Sequence, residues 1–403
     1  MNLLVEAVKK INRTKILFMG MFIQLTAGML YSWSVIQPFI MKHYSLDTSA
    51  ASIPFSVNLA VFVIGSILGG KLQGKFLIQK SLFIGILINF VGLALTALVP
   101  VQFPWLIIVT FGILCGIGTG IVYNTLIAAM QKYFPDRKGM ATGCILCMIG
   151  VSGFILAPFI SYLLNNYSLT LMFVIIAFVT LAVGVIGAFF IKNPPEGYMA
   201  DYNPNTVKVA STSKNYEPKE MLGTKYYYLI AFAMLCAVLG FMLINPQFVV
   251  MSKERLITSA QALTAVMFAS VFQAMGRLVV PSISDKVGRK ITLLVVFICS
   301  AAIIIGIVGA KGLLYPILFV ALAFFYGGFL GTFPALSTDY FGIKNAGINY
   351  AFVMIGFGAA SVICPILVRA VRGTAMGTAM SFAIAGAAAI IGLILLIRLK
   401  KPN

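Results

Sequence analysis

Acidic side chains are rare in this sequence: Asp and Glu number 10, against 29 Lys and Arg, in 403 residues. All ten (Glu6, Asp47, Asp136, Glu196, Asp201, Glu217, Glu220, Glu254, Asp285 and Asp339) are placed in loops or at the ends of apolar runs. No apolar run therefore carries a carboxylate at its centre to relay a proton or to balance a cation. Histidine occurs once, as His43, at the outer end of the first run. The six cysteines (Cys115, Cys144, Cys147, Cys236, Cys299 and Cys364) all fall inside apolar segments. Cys144-x-x-Cys147 has no second pair or nearby histidine to complete a metal site, and two cysteines three apart on a membrane helix are read as packing residues. These absences leave no metal or nucleophile constellation, so neither a cofactor nor an enzyme is expected. Basic residues do not cluster with aromatics, so the net charge of +19 is not read as a nucleic-acid footprint.

What is present is apolar. Hydrophobic residues make up 61% and charged residues only 10%, a balance foreign to water-soluble domains of this length. The runs are long enough to cross a lipid bilayer twelve times, at about 15–40, 48–70, 81–100, 103–128, 140–165, 169–191, 226–250, 258–283, 291–310, 313–337, 346–368 and 375–398. The first run follows Lys9, Lys10, Arg13 and Lys15 and ends in Trp33, Gln37 and Pro38 without a small-x-small cleavage site, so it is read as a retained span. Twelve spans put both termini on one side. With the termini inside, inner segments hold 22 Lys and Arg and outer segments 6, a strong positive-inside bias. A multi-pass plasma-membrane protein with cytoplasmic termini is expected.

The longest polar segment, 192–225, contains Pro194, Pro195, Pro204 and Pro218 and divides the chain into halves 1–191 and 226–403. The halves echo each other. Gly120 and Tyr133-Phe134 recur as Gly327 and Tyr340-Phe341, each 207 residues on. The expected fold is an all-α membrane protein, with twelve transmembrane helices in two pseudo-symmetric six-helix bundles. Repeated halves place a site near the bilayer midplane between them.

One charge breaks the pattern. Arg277 lies two turns inside an apolar run, about 12 Å above Asp285 at the rise of a helix. An arginine at mid-membrane costs about 2.5–3.5 kcal/mol even on the lenient insertion scale, and such a group normally faces a wet cavity or a partner. With the acids at loops and helix ends, an anion arriving from solution is the expected counter-ion. Gln273 shares the Arg277 face at i, i+4 spacing.

The surrounding motifs resemble a known family. The six-plus-six division and the Ser284-Asp285-Lys286-x-Gly288-Arg289-Lys290 turn resemble the major facilitator superfamily. Tyr31-Ser-Trp33-Ser, Gly116-Ile-Gly118-Thr-Gly120-Ile-Val-Tyr123, and Tyr133-Phe134-Pro135-Asp136-Arg137-Lys138-Gly139, together with Gly276-Arg277, resemble its oxalate:formate antiporter family, which also holds bacterial monocarboxylate carriers of the lactate type. Three positions depart from the pattern. Gly74 stands where the superfamily's first turn carries an Asp. Phe357 or a neighbour stands where oxalate carriers have a second cation, a Lys. Gln273 stands where animal-type proton-coupled carriers have an Asp.

The resemblance implies a secondary transporter working by alternating access, by proton symport or anion exchange, as a monomer. One cation favours a small monocarboxylate, such as lactate, pyruvate or formate, gripped by the guanidinium fork. A dicarboxylate (oxalate-type) antiporter and a drug exporter are the alternatives. Expected substrate-binding residues are Arg277, Gln273, Tyr123, Asn124, Tyr31, Trp33, Tyr326 and Phe357. Asp285, Lys286 and Arg289 are expected to gate the cytoplasmic side.

Overall fold

The computed structural model describes residues 12–46, 48–195, 198, 214–248, 251, 254–372 and 377–400. Half of the 192–225 segment (196–197 and 199–213) and the residues before 12 lie outside them. The chain is a succession of long helices. In the first half these are α1 (Arg13–Ala27), α2 (Trp33–Tyr44), α3 (Thr48–Lys75), α4 (Ile78–Ala97), α5 (Gly116–Tyr133), α6 (Lys138–Asn166) and α7 (Leu169–Phe190). A short α8 (Pro218–Leu222) precedes the second half, which holds α9 (Lys225–Phe248), α10 (Ser259–Val287), α11 (Arg289–Gly309), α12 (Leu314–Phe341), α13 (Ala346–Val353), α14 (Ile355–Arg372) and α15 (Gly377–Arg398).

Eleven of the helical spans in the described residues are long and apolar enough to cross a membrane. The expected first span is a helical run from Arg13 to Tyr44, interrupted by a 3-10 turn at Gly28–Ser32 that separates α-helical pieces of 15 and 12 residues. The expected eleventh span is likewise interrupted, between Val353 and Ile355. The fourth opens with a π-helical stretch, Ile108–Cys115, that runs straight into α5. Several helices outrun the expected spans at one end: α3 reaches Lys75, α5 reaches Tyr133, α10 reaches Val287 and α12 reaches Phe341. Hydropathy falls at the first charges, whereas the hydrogen-bond ladder of a helix continues past them.

The halves repeat in detail. Tyr133 Oη donates to the Lys192 carbonyl just after the last helix of its half (2.9 Å), and Tyr340 Oη donates to the Lys400 carbonyl just after the last helix of the other (2.7 Å). Thr338 Oγ1 bonds the side chain of Gln131, and these two residues are 207 apart. A residue that touches its own repeat equivalent sits on the axis relating the halves.

The halves meet along two seams. In one, α6 lies against α10 and α12; in the other, α3 and α5 lie against α13 and α14. Close approach is built in at Arg277. Pro281, four residues on, has no N–H to bond the Arg277 carbonyl. A methyl at Gly143 of α6 would sit 2.6 Å from that oxygen, and one at Gly327 of α12 would sit 2.0 Å from the Gln273 carbonyl. Only glycine lets three backbones converge there.

The first half packs around two apolar cores. One lies toward its termini, around Leu17, Leu82, Leu126 and Met130, and one at the opposite end, around Ile36, Phe111, Phe173 and Leu163. The core of the second half is single, and it extends across the seam to take in Tyr123, Ile127, Leu146 and Ile149. Described parts of the connecting segment are pinned at its C-terminal end. Tyr216 N–H donates to the Phe341 carbonyl (2.9 Å), and the Tyr216 carbonyl accepts from Asn345 and Asn349 (2.9 and 3.1 Å).

Candidate functional site: a cationic cavity between the halves

A cavity of about 550 Å³, its open side included, lies on the seam between the halves. The first half lines it with Gln24 and Ala27 of α1, Leu59 and Phe62 of α3, Thr119 and Tyr123 of α5, and Leu146 and Ile149 of α6. The second half contributes Arg277 of α10, Leu330 of α12, Met354 at the α13–α14 break and Phe357 of α14. Both broken runs therefore border the cavity, where side chains can leave the helical ladder's regular spacing. Among the described residues that line it, Arg277 alone carries a charge.

Arg277 is only 2% exposed. One terminal nitrogen donates to the Leu146 carbonyl of α6 (3.3 Å), so the cation touches the opposite half. The other donates to Gln273 Oε1 (3.4 Å), one turn away on the same face. The Leu146 carbonyl and the Gln273 amide are neutral, so neither cancels the positive charge in the cavity wall. Tyr123 Oη lies 3.4 Å from Tyr350 Oη of α13, again across the seam, and its ring stands edge-on to Phe62 at 4.9 Å. The aromatic floor and the guanidinium together make an apolar chamber with one positive end.

The remaining expected site residues are elsewhere. Asn124 donates to the Ser66 carbonyl (2.6 Å) and to the Gly347 carbonyl (2.7 Å), tying α5 to α3 and to α13. Trp33 is 3% exposed and stacks on Phe111 at 4.5 Å, inside the core of the first half. Tyr326 stacks on Phe241 at 4.6 Å within the second half. Tyr31 belongs to the 3-10 turn, and its side chain lies outside the described residues. Sequence reasoning missed Gln24, Thr119 and Met354. Their only signal is a polar or flexible side chain in an otherwise apolar run, which fixes no partner.

A second polar cluster joins the halves at the end where the helices outrun the apolar spans. Asp285 accepts from the backbone N–H groups of Gly139 (3.0 Å) and Met140 (2.8 Å) in the first turn of α6. A carboxylate there satisfies open helix donors and meets the positive end of the helix dipole. Arg289 binds Asp285 at 2.5 Å and Asp339 at 3.2 Å, and it donates to Ser284 Oγ at 2.6 Å. Lys138 of the first half reaches Asp339 at 3.0 Å. The chain of charges runs Lys138, Asp339, Arg289, Asp285 and then the α6 N-terminus, with its ion pairs largely shielded from water. Lys286, expected beside Asp285, is exposed and makes none of these bonds. Spacing along one turn does not aim a side chain: the chain turns at Gly288 (φ 106°) between α10 and α11, which brings Arg289 at the start of α11 onto Asp285 near the end of α10, while Lys286 points about a quarter-turn away from Asp285 on α10. Lys138 and Asp339 were the unforeseen members. Together with Gln131–Thr338, this latch of contacts joins the two halves at that end.

The comparisons agree with this architecture. The family model of the Major Facilitator Superfamily matches residues 16–220 and 230–403. An uncharacterized MFS-type transporter of Escherichia coli (strain K12), YhjX, is 27% identical over 350 residues, spanning 84% of this chain and 83% of that one. The oxalate:formate antiporter of Oxalobacter formigenes is 23% identical over 344 residues, spanning 84% of this chain and 79% of its own. Among solved structures, the superfamily transporter FucP in its outward conformation superposes with a TM-score of 0.75 at 14% identity, covering 98% of this chain and all of that one (100%). A twelve-span repeat, a cavity on the seam and a family match over nearly the whole chain converge: this protein belongs to the major facilitator superfamily and is a membrane transporter, not an enzyme.

Proposed function

We propose that the protein is a secondary carrier of a small monocarboxylate, which binds Arg277 in the cavity between the halves and crosses by alternating access. The observation that carries this reading is a buried guanidinium as the charged group of an otherwise neutral, aromatic-walled chamber. A guanidinium presents planar parallel donors that match a carboxylate. In a cavity shielded from bulk water that pair is stronger than the ~1 kcal/mol of two charges 4 Å apart in water. Phe357, rather than a second cation, lies on the wall contributed by α14, which favours one carboxylate over two. The oxalate:formate relative supports an organic-acid substrate and keeps the dicarboxylate exchange reading as the alternative. A lipophilic-cation exporter would place its substrate beside the positive charge, and is disfavoured for that reason.

The cycle follows from charge. The empty site holds a cation that resists burial. A bound carboxylate neutralises it and lets the halves close over it, after which the latch opens on the other side. The positive-inside bias supports a cytoplasmic position for the latch and both termini. Described spans carry no acid at the level of Arg277. A proton then enters as the undissociated acid or through hydroxyls and water near Tyr123 and Tyr350, or else one anion exchanges for another.

Proteoliposomes separate these modes. An imposed inward proton gradient drives labelled lactate uptake into otherwise empty vesicles if the carrier is a symporter. If only vesicles preloaded with carboxylate take up label, symport is wrong and exchange is right. If neither condition gives uptake of lactate, formate or oxalate, the organic-acid reading itself fails.

A further inference from the structure

Seven Asn and Gln side chains are buried among the described residues: Gln24, Asn58, Asn89, Asn124, Gln131, Gln273 and Asn349. Six of them make at least one side-chain hydrogen bond. The exception is Gln24, which is 0% exposed and has neither Nε2 nor Oε1 bonded. It occupies the last turn of α1, just before the 3-10 break, and lines the cavity that Arg277 lines from the other half. Burying an amide with nothing to bond is unfavourable, and a leucine would pack there without that cost. An amide left open on the wall of a binding cavity is a group awaiting a ligand.

We infer that Gln24 is the specificity-determining contact for a polar group on the substrate's second carbon, so that the carrier selects 2-hydroxy and 2-oxo acids over unsubstituted short-chain acids. This rests on the monocarboxylate reading, because it needs the carboxylate to be held by Arg277. The chemistry fits both oxidation levels. The amide oxygen accepts a hydroxyl proton, and the amide nitrogen donates to an oxo oxygen. Thr119 lines the same wall of the cavity, and its Oγ1 accepts from Asn89 Nδ2 at 2.8 Å, which leaves its own proton to donate. The first half therefore offers a donor–acceptor amide and a hydroxyl, while the second half offers the cation. A short acid with an oxygen beside its carboxylate spans both walls and draws the halves together. Propionate or acetate fills the same space and leaves Gln24 unsatisfied.

The test compares lactate with propionate, which differs from it by the single hydroxyl. Dissociation constants for both acids are measured on the purified full-length protein in lipid nanodiscs, for wild type, Gln24→Leu and Arg277→Ala. Wild type is expected to bind lactate at least about ten-fold more tightly than propionate, since a site built to bond a hydroxyl discriminates against its absence. In Gln24→Leu the ratio is expected to fall to within about two-fold, through weaker lactate binding. Gln24→Met, similar in length and without hydrogen-bonding amide atoms, repeats the measurement if the leucine variant is not monodisperse. An unchanged lactate-to-propionate ratio in these variants overturns the assignment and means that water satisfies the amide. So does a wild type that does not distinguish the two acids. In either case loss of both acids in Arg277→Ala leaves the carrier reading standing. If neither acid binds wild type, both proposals fall together.

Discussion

Replacing Arg277 with lysine keeps the charge and discards the fork. A point-like ammonium on a flexible stem cannot reproduce two parallel hydrogen bonds to one carboxylate. Competition of unlabelled lactate against labelled uptake should therefore show Arg277→Lys weakened by about ten-fold or more, equivalent to roughly 1.4 kcal/mol. Wild-type affinity in that variant would show that the guanidinium supplies charge alone. At this scale the sequence was informative where charge is rare. Arg277 stands out because a buried cation is costly in any apolar run, and Gln273 follows from helical spacing. Aromatic and amide residues were harder to place, because packing and substrate contact use the same side chains. Trp33 and Tyr326 stack on other rings, and Asn124 ties backbones together. Gln24 has no neighbour in sequence that marks it, and only the cavity around it gives it meaning.

The latch is a property of helix ends. Asp339 is 2% exposed and accepts from two cations, Lys138 of the first half and Arg289 of the second. Removing its charge leaves buried Arg289 and half-buried Lys138 with poorer partners, and breaking a buried pair costs about 3–5 kcal/mol. Asp339→Asn should thus shift the halves toward opening at this end. The readout is a cysteine in place of Thr338, itself 2% exposed and bonded to Gln131 across the seam. A membrane-impermeant thiol reagent should label that cysteine several-fold faster in the Asp339→Asn background, and only in vesicles that expose the cytoplasmic face. Equal labelling rates would mean that the ion network does not hold the halves together. Labelling from the outside would reverse the orientation drawn from the Lys and Arg bias. Helix number and order could be read from hydropathy, because each span must be apolar. Helix ends could not, since the ladder runs on into charged residues. Nor could the latch partners, which are 146 residues apart for Gly139 and Asp285 and 201 for Lys138 and Asp339. The 207-residue repeat was the one sequence feature that pointed across the seam, and Gln131–Thr338 is where it does so.

As a whole, the molecule is two bundles that share a cationic chamber and are shut at one end. In the proposed mechanism this chamber passes a carboxylate because Arg277 binds it. The fold was legible from composition, span count and repeat. The cargo was not, because many anions satisfy one guanidinium, and the walls that choose among them come together only in three dimensions. The most direct measurement is labelled lactate uptake by proteoliposomes carrying wild type or Arg277→Ala at matched protein content, with the variant's folding checked by its elution profile. Carboxylate binding by Arg277 predicts saturable uptake by wild type and uptake by the correctly folded variant that is indistinguishable from empty liposomes. Uptake that persists at the wild-type rate without the guanidinium would contradict it.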